Sequence, residues 1–284
     1  MKKQSTGSQT RPRWWRTIVI TLLASVMTAG CQSPRQAFDV LASEHGRDVT
    51  VLSTSPYPLV FSAPKALTAP SRLRIYIEGD GHAWATPSQP SLDPTPRTLL
   101  VANLAFDDPT PNIYLARPCQ FQMTAGCDTK TWTTERFSRP AVTSLSQALD
   151  QIKARYGNDD FELIGYSGGA ALALLLAAER SDVSAVQTLA GNVTPRIWAR
   201  ALGLTPMPDA LDPIDVASRL RRIPQRHLIG AEDTVAPGDL VRAFTLRLGR
   251  SACASVVKVP RADHSNGWHE AWRIWQSKPI DCPR

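Results

Sequence analysis

The chain has 284 residues, 43% of them hydrophobic and 20% charged, with a formal charge of +7. That length holds one large α/β domain or two small ones, and either can bury a proper core. Lys2, Lys3, Arg11, Arg13 and Arg16 supply five of the 32 basic residues, and no acidic residue stands among the first thirty; the remaining 27 face 25 acidic residues, so the folded body presents no case for nucleic-acid binding.

The basic segment leads into Thr17 to Ala29 (T-I-V-I-T-L-L-A-S-V-M-T-A) and then Gly30-Cys31. A basic start, a short apolar stretch and small residues before a cleavage point mark residues 1–30 as a bacterial export signal. The apolar stretch is too short to span a bilayer comfortably. Ala29-Gly30-Cys31 resembles a lipobox, which implies that Cys31 is lipidated and anchors the mature chain to a membrane. Thr28 stands where leucine is usual in that motif. Cleavage nearby without lipid, or an uncleaved anchor, are the alternatives. Gln32 follows the cysteine rather than the aspartate associated with inner-membrane retention, so the resemblance implies the periplasm and the outer membrane.

With Cys31 set aside, Cys119, Cys127, Cys253 and Cys282 remain, an even number in an exported chain. Cys119 and Cys127 close a short loop after a predicted strand. Cys253 precedes the last predicted strand and Cys282 follows the last predicted helix, ends that a strand-helix unit returns to one side of a sheet. The expected pairs are therefore Cys119 with Cys127 and Cys253 with Cys282; four free, buried thiols are the alternative.

Residues 31–47 are expected to be a tether, and residues 48–284 a single folded domain. Val49 to Leu52 and Leu59 to Ser62 are β-prone. Leu73 to Ile77 is strongly strand-like and ends in Glu78-Gly79-Asp80-Gly81. The Pro-rich stretch from Ala85 to Pro111 is expected to be a long loop. Asn112 to Ala116 is a strand candidate, and Pro140 to Tyr156 has helical apolar spacing. The strand Phe161 to Ile164 and the helix Gly168 to Arg180 flank F-E-L-I-G-Y-S-G-G-A-A. Val183 to Ala190 predicts a strand, and Asn192 to Pro213 a loop with short helical pieces. Gln225 to Ile229 is a strand, Gly238 to Arg247 a helix, Ser255 to Val259 a strand and Gly267 to Gln276 a helix. Strands alternating with helices predict an α/β domain with a mainly parallel central sheet covered on both faces. Both long loops then lie at the carboxyl ends of strands, where such sheets bind ligands.

Ser167 sits between Gly165 and Gly169 in a strand-turn-helix setting, the context a nucleophilic serine needs. A serine hydroxyl is a poor nucleophile until an imidazole takes its proton, and the imidazole needs a carboxylate to fix its tautomer. His264, in the loop after the last strand, is the candidate base; His45, His227 and His269 suit structural or surface positions. In G-A-E-D-T-V-A-P (230–237), Asp233 and Glu232 are neighbouring candidates for the carboxylate, with Asp263 a third. The amide of Gly168, next after the serine, is a candidate donor to a developing oxyanion. Trp132, Trp198 and Trp268 suit core or pocket-wall positions. No His/Cys cluster has zinc spacing and no glycine-rich nucleotide loop is present, so no metal and no cofactor is implied.

The order Ser167, Asp233, His264, together with I-E-G-D-G-H-A-W, Y-L-A-R-P-C-Q-F, G-Y-S-G-G-A, L-A-G-N-V and I-P-Q-R-H-L-I-G-A-E-D, resembles the α/β-hydrolase superfamily from Leu73 to the C-terminus. The resemblance is to exported bacterial serine hydrolases. It implies the α/β-hydrolase fold and a Ser-His-Asp triad, and G-x-x-D-x-V-x-P selects Asp233 within it. It also implies a second oxyanion donor from Glu78-Gly79-Asp80-Gly81, which occupies the place of an H-G-x-G motif. That match points to the amide of Asp80, with Gly81 the alternative, while Glu78 departs from the usual histidine. His82 is placed to pair with Asp80, to touch substrate, or to lie on the surface. The implied partner is a small-molecule acyl substrate, an ester before a peptide or thioester, or the donor of an acyl transfer. A non-catalytic envelope-anchored binding protein is the rival class.

Overall fold

The computed structural model describes residues 3, 32–249, 252–280 and 282. Cys31 and, apart from Lys3, the expected export signal lie outside the described residues. Among the described residues no helix is long and apolar enough to cross a membrane.

The strands are β1 (Arg47–Leu52), β2 (Leu59–Pro64), β3 (Arg72–Ile77), β4 (Trp84–Thr86), β5 (Gln89–Pro90), β6 (Asn112–Leu115), β7 (Asp160–Tyr166), β8 (Val183–Leu189), β9 (Gln225–Gly230) and β10 (Ala254–Val259). Eight of them form one sheet in the order β1-β2-β6-β3-β7-β8-β9-β10, and β4 and β5 pair separately. Only the β1–β2 and β2–β6 pairings in the large sheet are antiparallel; from β6 to β10 every neighbour is parallel.

Parallel strands linked by helices are buried on both sides, and the alternation of side chains shows it. Ile75, Ile113, Leu163, Val186 and Ile229 point into one core. Their neighbours Tyr76, Tyr114, Ile164 and Leu228, with Leu189 further along β8, point into the other. The helices are α1 (Pro34–Glu44), α2 (Leu100–Phe106), α3 (Thr129–Trp132), α4 (Arg139–Tyr156), α5 (Gly168–Glu179), α6 (Pro195–Ala201), α7 (Ala217–Leu220), α8 (Gly238–Leu248) and α9 (Trp268–Trp275). Side chains of α4, α5 and α8 fill the first core, and those of α1, α2 and α9 the second. Apart from its terminal Glu179, α5 (G-G-A-A-L-A-L-L-L-A-A-E) has no polar side chain. A helix apolar all round must be buried, and ten of its residues are.

Several segments differ from their sequence-based expectation. Much of the expected tether, residues 31–47, is helix α1, whose Phe38 and Ala42 are fully buried. Phe38 stacks on Phe121 with ring centroids 4.5 Å apart and lies 5.0 Å from Tyr114. Two apolar residues at i and i+4 bury only a single helical turn, too short a stripe for periodicity to register. The expected loop of residues 85–111 contains the β4–β5 hairpin and helix α2, whose Val101, Ala102, Leu104 and Ala105 are buried. Its prolines punctuate the ends of these pieces rather than excluding them. The four-residue helices α3 and α7 were not expected; Asp128 and Thr131 close a capping box at the start of α3.

Cys119 and Cys127 lie at disulfide distance, Cα to Cα 5.8 Å, as do Cys253 and Cys282 at 4.4 Å. These are the expected pairs.

Candidate active site

The turn between β7 and α5 sets the geometry. Ser167 has φ 49° and ψ −122°, a conformation that side chains other than glycine rarely adopt. The flanking glycines are steric necessities. A Cβ on Gly165 would sit 2.6 Å from the Cα of Ala170, and one on Gly169 would sit 2.5 Å from the carbonyl oxygens of Ile77 and Glu78. The backbone atoms on which they would intrude belong to α5 and to the end of β3, so neither can yield cheaply.

Asp233 comes from the loop after β9 and His264 from the loop after β10. His264 Nε2 lies 3.0 Å from Ser167 Oγ, and His264 Nδ1 lies 3.0 Å from Asp233 Oδ2. The Asp233 side chain is fully buried and that of His264 is 18% exposed. Asp233 divides its oxygens: Oδ1 accepts the amides of Val235 (2.9 Å) and Ala236 (2.8 Å), leaving Oδ2 for the imidazole. The structure brings Asp233 rather than its neighbour Glu232, which is exposed, to His264. Asp263, the third candidate, instead accepts the amides of Ser265 and Asn266 and shapes the loop.

That loop is fixed from below. The carbonyl of His264 accepts the Tyr166 hydroxyl at 2.7 Å and the Trp268 indole N–H at 3.1 Å. Trp268 is fully buried at the start of α9. The far end of α9 is held by two buried arginines: Arg74 Nη2 donates to Gln276 O (2.5 Å), and Arg226 Nη1 donates to Trp275 O (3.1 Å).

On the opposite side of Ser167, the loop after β3 carries Glu78, Gly79, Asp80 and Gly81. Asp80 lies close against Gly168, since a Cβ on that glycine would come within 2.0 Å of Asp80 Oδ1. The Asp80 carboxylate pairs with Arg117 Nη1 and with Arg136 Nε (3.0 Å), both guanidinium groups buried. Burial pushes the Asp80 carboxyl up, but Arg136 and Arg117 outweigh it and hold it below its ordinary value.

These groups border a cavity of about 350 Å³, lined among others by Ser167, His264, Asn192, Arg136, Trp198 and Leu100. Leu100 comes from α2, and Trp198 and Asn192 from the segment after β8, so both long connections expected at the strand ends do border it. Asn192 donates its backbone N–H to Ser167 O (2.9 Å), while its side-chain Oδ1 and Nδ2 are buried with no partner among the described residues. His82 also lines the cavity, but Asp80 makes its ion pairs with Arg117 and Arg136 instead; the His82 backbone N–H donates to Pro94 O. Among the remaining histidines, His227 is fully buried beside Thr188, and His45 and His269 are exposed. No group of three His, Cys, Asp or Glu side chains among the described residues is arranged to hold a metal ion.

No family model matches the sequence, and no curated protein matches it either. Solved structures do match in three dimensions. An esterase from Pyrococcus furiosus superposes with a TM-score of 0.59 at 12% identity, over 81% of this chain and 89% of that one. An alpha-beta serine hydrolase homologue from Coxiella burnetii gives 0.54 at 17%, over 80% and 94%. A cold-adapted esterase from an Arctic intertidal metagenomic library gives 0.55 at 15%, over 81% and 89%. The chain has the α/β-hydrolase fold.

Glu78, the first residue of the loop after β3, borders the same cavity. Its carboxylate is buried, accepting the Gly79 amide (2.8 Å) and the Tyr114 hydroxyl (2.8 Å). Burial pushes its pKa up from 4.5 to about 7, against the pull of Tyr114, Gly79 and Arg117. The folded state therefore binds this proton more tightly than the unfolded chain. The group's contribution to stability is complete below pH 4.5 and is lost as pH rises to about 7. A shift of that size corresponds to roughly 3 kcal/mol. In urea unfolding series between pH 4.5 and 8, Glu78→Gln is expected to gain on the wild type by about that amount as pH rises. Parallel curves would contradict the assignment.

Arg117, Gln120 and Arg136 were not singled out by sequence reasoning. Arg117 and Gln120 stand inside Y-L-A-R-P-C-Q-F, where an arginine directly after an apolar strand was the available signal. Arg136, in T-T-E-R-F-S, carried none.

Proposed function

We propose that the protein is a serine hydrolase that cleaves a carboxylic ester through an acyl-enzyme. The observation that carries this reading is the unbroken chain of hydrogen bonds from Asp233 through His264 to Ser167 Oγ at the mouth of a cavity. His264 Nε2 takes the hydroxyl proton as Ser167 Oγ attacks the acyl carbon, and Asp233 holds the proton-bearing Nδ1 and steadies the imidazolium. The amides of Gly168 and Asp80 receive the negative charge on the tetrahedral oxygen. As that intermediate collapses, the C–O bond to the alcohol breaks and His264 returns the proton to the leaving oxygen. Water then attacks the acyl-enzyme by the same route and frees Ser167.

A carboxylate beside an oxyanion opposes this chemistry unless it is neutralised. Two arginines on Asp80 meet that condition and support its amide as the second donor. An ester suits the site because an alkoxide leaves with less assistance than an amine. The cavity is at the small end of ligand sites and has Arg136 and Asn192 in its wall, which favours a short acyl group over a long lipid chain. Aryl esters of acetate, butyrate, octanoate and decanoate test this. We expect kcat/KM to favour the two short esters over decanoate by roughly tenfold or more. No turnover of any ester would remove the reading.

We also propose that the mature protein is anchored in the bacterial outer membrane by lipid on Cys31. Support comes from the sequence around that cysteine and from two cysteine pairs suited to an oxidising compartment. Intact mass of the membrane-extracted protein tests it: a chain that begins at Cys31 and is heavier by its lipid is the expected result, and an unlipidated terminus would contradict it.

A further inference from the structure

The loop that carries the Asp80 amide has little secondary structure of its own, yet it is tied at successive residues to one other segment. Arg117 Nη1 donates to Asp80 Oδ1, and Arg117 Nη2 donates to Arg136 O at 2.9 Å. Gln120 Nε2 donates to Gly79 O at 3.0 Å, while Gln120 Oε1 accepts the backbone N–H of Arg117 at 2.9 Å. Both side chains are buried. The segment holding them is itself constrained: Cys119 (φ 68°) and Phe121 (φ 60°) sit in the left-handed region without being glycine. Cys119 pairs with Cys127 and packs with Ala83 and Trp132, and the Phe121 N–H donates to Thr95 Oγ1 at 2.8 Å. Conformations of this kind persist only where surroundings over-determine them, and they concentrate where geometry matters to function.

We propose that residues 117–127 form a brace for the oxyanion loop, with Arg117 and Gln120 as positioning residues and the Cys119–Cys127 link keeping the brace in shape. The inference rests on the hydrolase reading above and extends it. Neither residue touches the reacting atoms. Arg117 turns the Asp80 carboxylate away from the oxyanion, and Gln120 fixes the Gly79 peptide so that the next amide is already in place when charge develops. Preorganised donors act on the transition state and not on the bound ester, so the brace bears on kcat and leaves KM alone.

The test compares full-length wild type with Gln120→Leu, the pair Arg117→Met and Arg117→Lys, and Cys119→Ser/Cys127→Ser. Three readouts are taken: ester turnover, inhibition by an alkyl boronate that forms a tetrahedral adduct, and amide hydrogen exchange at residues 79–81. We expect kcat to fall about 10–100-fold in Gln120→Leu, Arg117→Met and the double serine variant, with KM within about twofold. Boronate affinity should weaken by the same factor as kcat/KM, amides 79–81 should exchange faster, and Arg117→Lys should recover part of the loss. Gln120→Leu with wild-type turnover and unchanged exchange overturns the brace. So does a fall in turnover that boronate affinity does not follow, since that marks general damage. A wild type that neither turns over esters nor reacts with a fluorophosphonate overturns the hydrolase reading itself, a result distinct from either of these.

Discussion

Ser167→Ala is expected to lower kcat for a short aryl ester by about six orders of magnitude, to the residual level that the oxyanion donors and binding sustain. The structure separates this loss from any effect on folding. The bonds that shape the turn are made by the backbone of residue 167: its N–H donates to Leu189 O (3.0 Å), and its carbonyl accepts the amides of Asn192 (2.9 Å) and Ala170 (3.1 Å). Alanine keeps all three and is no worse suited than serine to φ 49°. Only the Oγ bond to His264 is removed. Unfolding free energy should therefore change by no more than about 1 kcal/mol. Stopped-flow turnover and urea unfolding of the same preparation measure both. Activity within tenfold of wild type would place the nucleophile elsewhere.

Asp233→Asn should cost about four orders of magnitude in kcat, for a reason that lies in the division of labour between its two oxygens. An asparagine retains Oδ1 as acceptor for the Val235 and Ala236 amides, so the loop before α8 keeps its shape. Its Nδ2 then replaces Oδ2 at 3.0 Å from His264 Nδ1. Two donors cannot face each other, so the imidazole moves its proton to Nε2. That nitrogen now presents N–H to Ser167 Oγ and cannot accept the hydroxyl proton. KM and melting temperature should stay close to wild type. A loss smaller than tenfold would show that Asp233 is only a loop cap.

The eight strands of the large sheet, and α4, α5, α8 and α9, were legible because each is long or strongly patterned and bounded by turn residues. Strand Leu73 to Ile77 and helix Pro140 to Tyr156 match β3 and α4 to within one residue. The serine turn was legible for a steric reason, the crowding at Gly165 and Gly169, which the sequence states in its own letters. What escaped notice was short or depended on distant partners. Helix α1 buries two residues, and its anchor Phe38 makes sense only once Phe121 and Tyr114 are beside it. The choice between Asp233 and Glu232 needed the resemblance, because neighbouring carboxylates on a loop point opposite ways and spacing does not say which. Asp80 posed a problem in the sequence, a charge where a developing anion is expected. Its answer, Arg117 and Arg136, lies 37 and 56 positions along the chain, and no local pattern links them.

The most direct test of a nucleophilic Ser167 is the site of covalent capture. The protein is treated with a fluorophosphonate, its mass is measured intact, and the modified peptide is sequenced by fragmentation. The account predicts a single adduct, formed with loss of fluoride and borne on Ser167 within G-Y-S-G-G. No adduct, or one on another residue while Ser167 stays free, would contradict it.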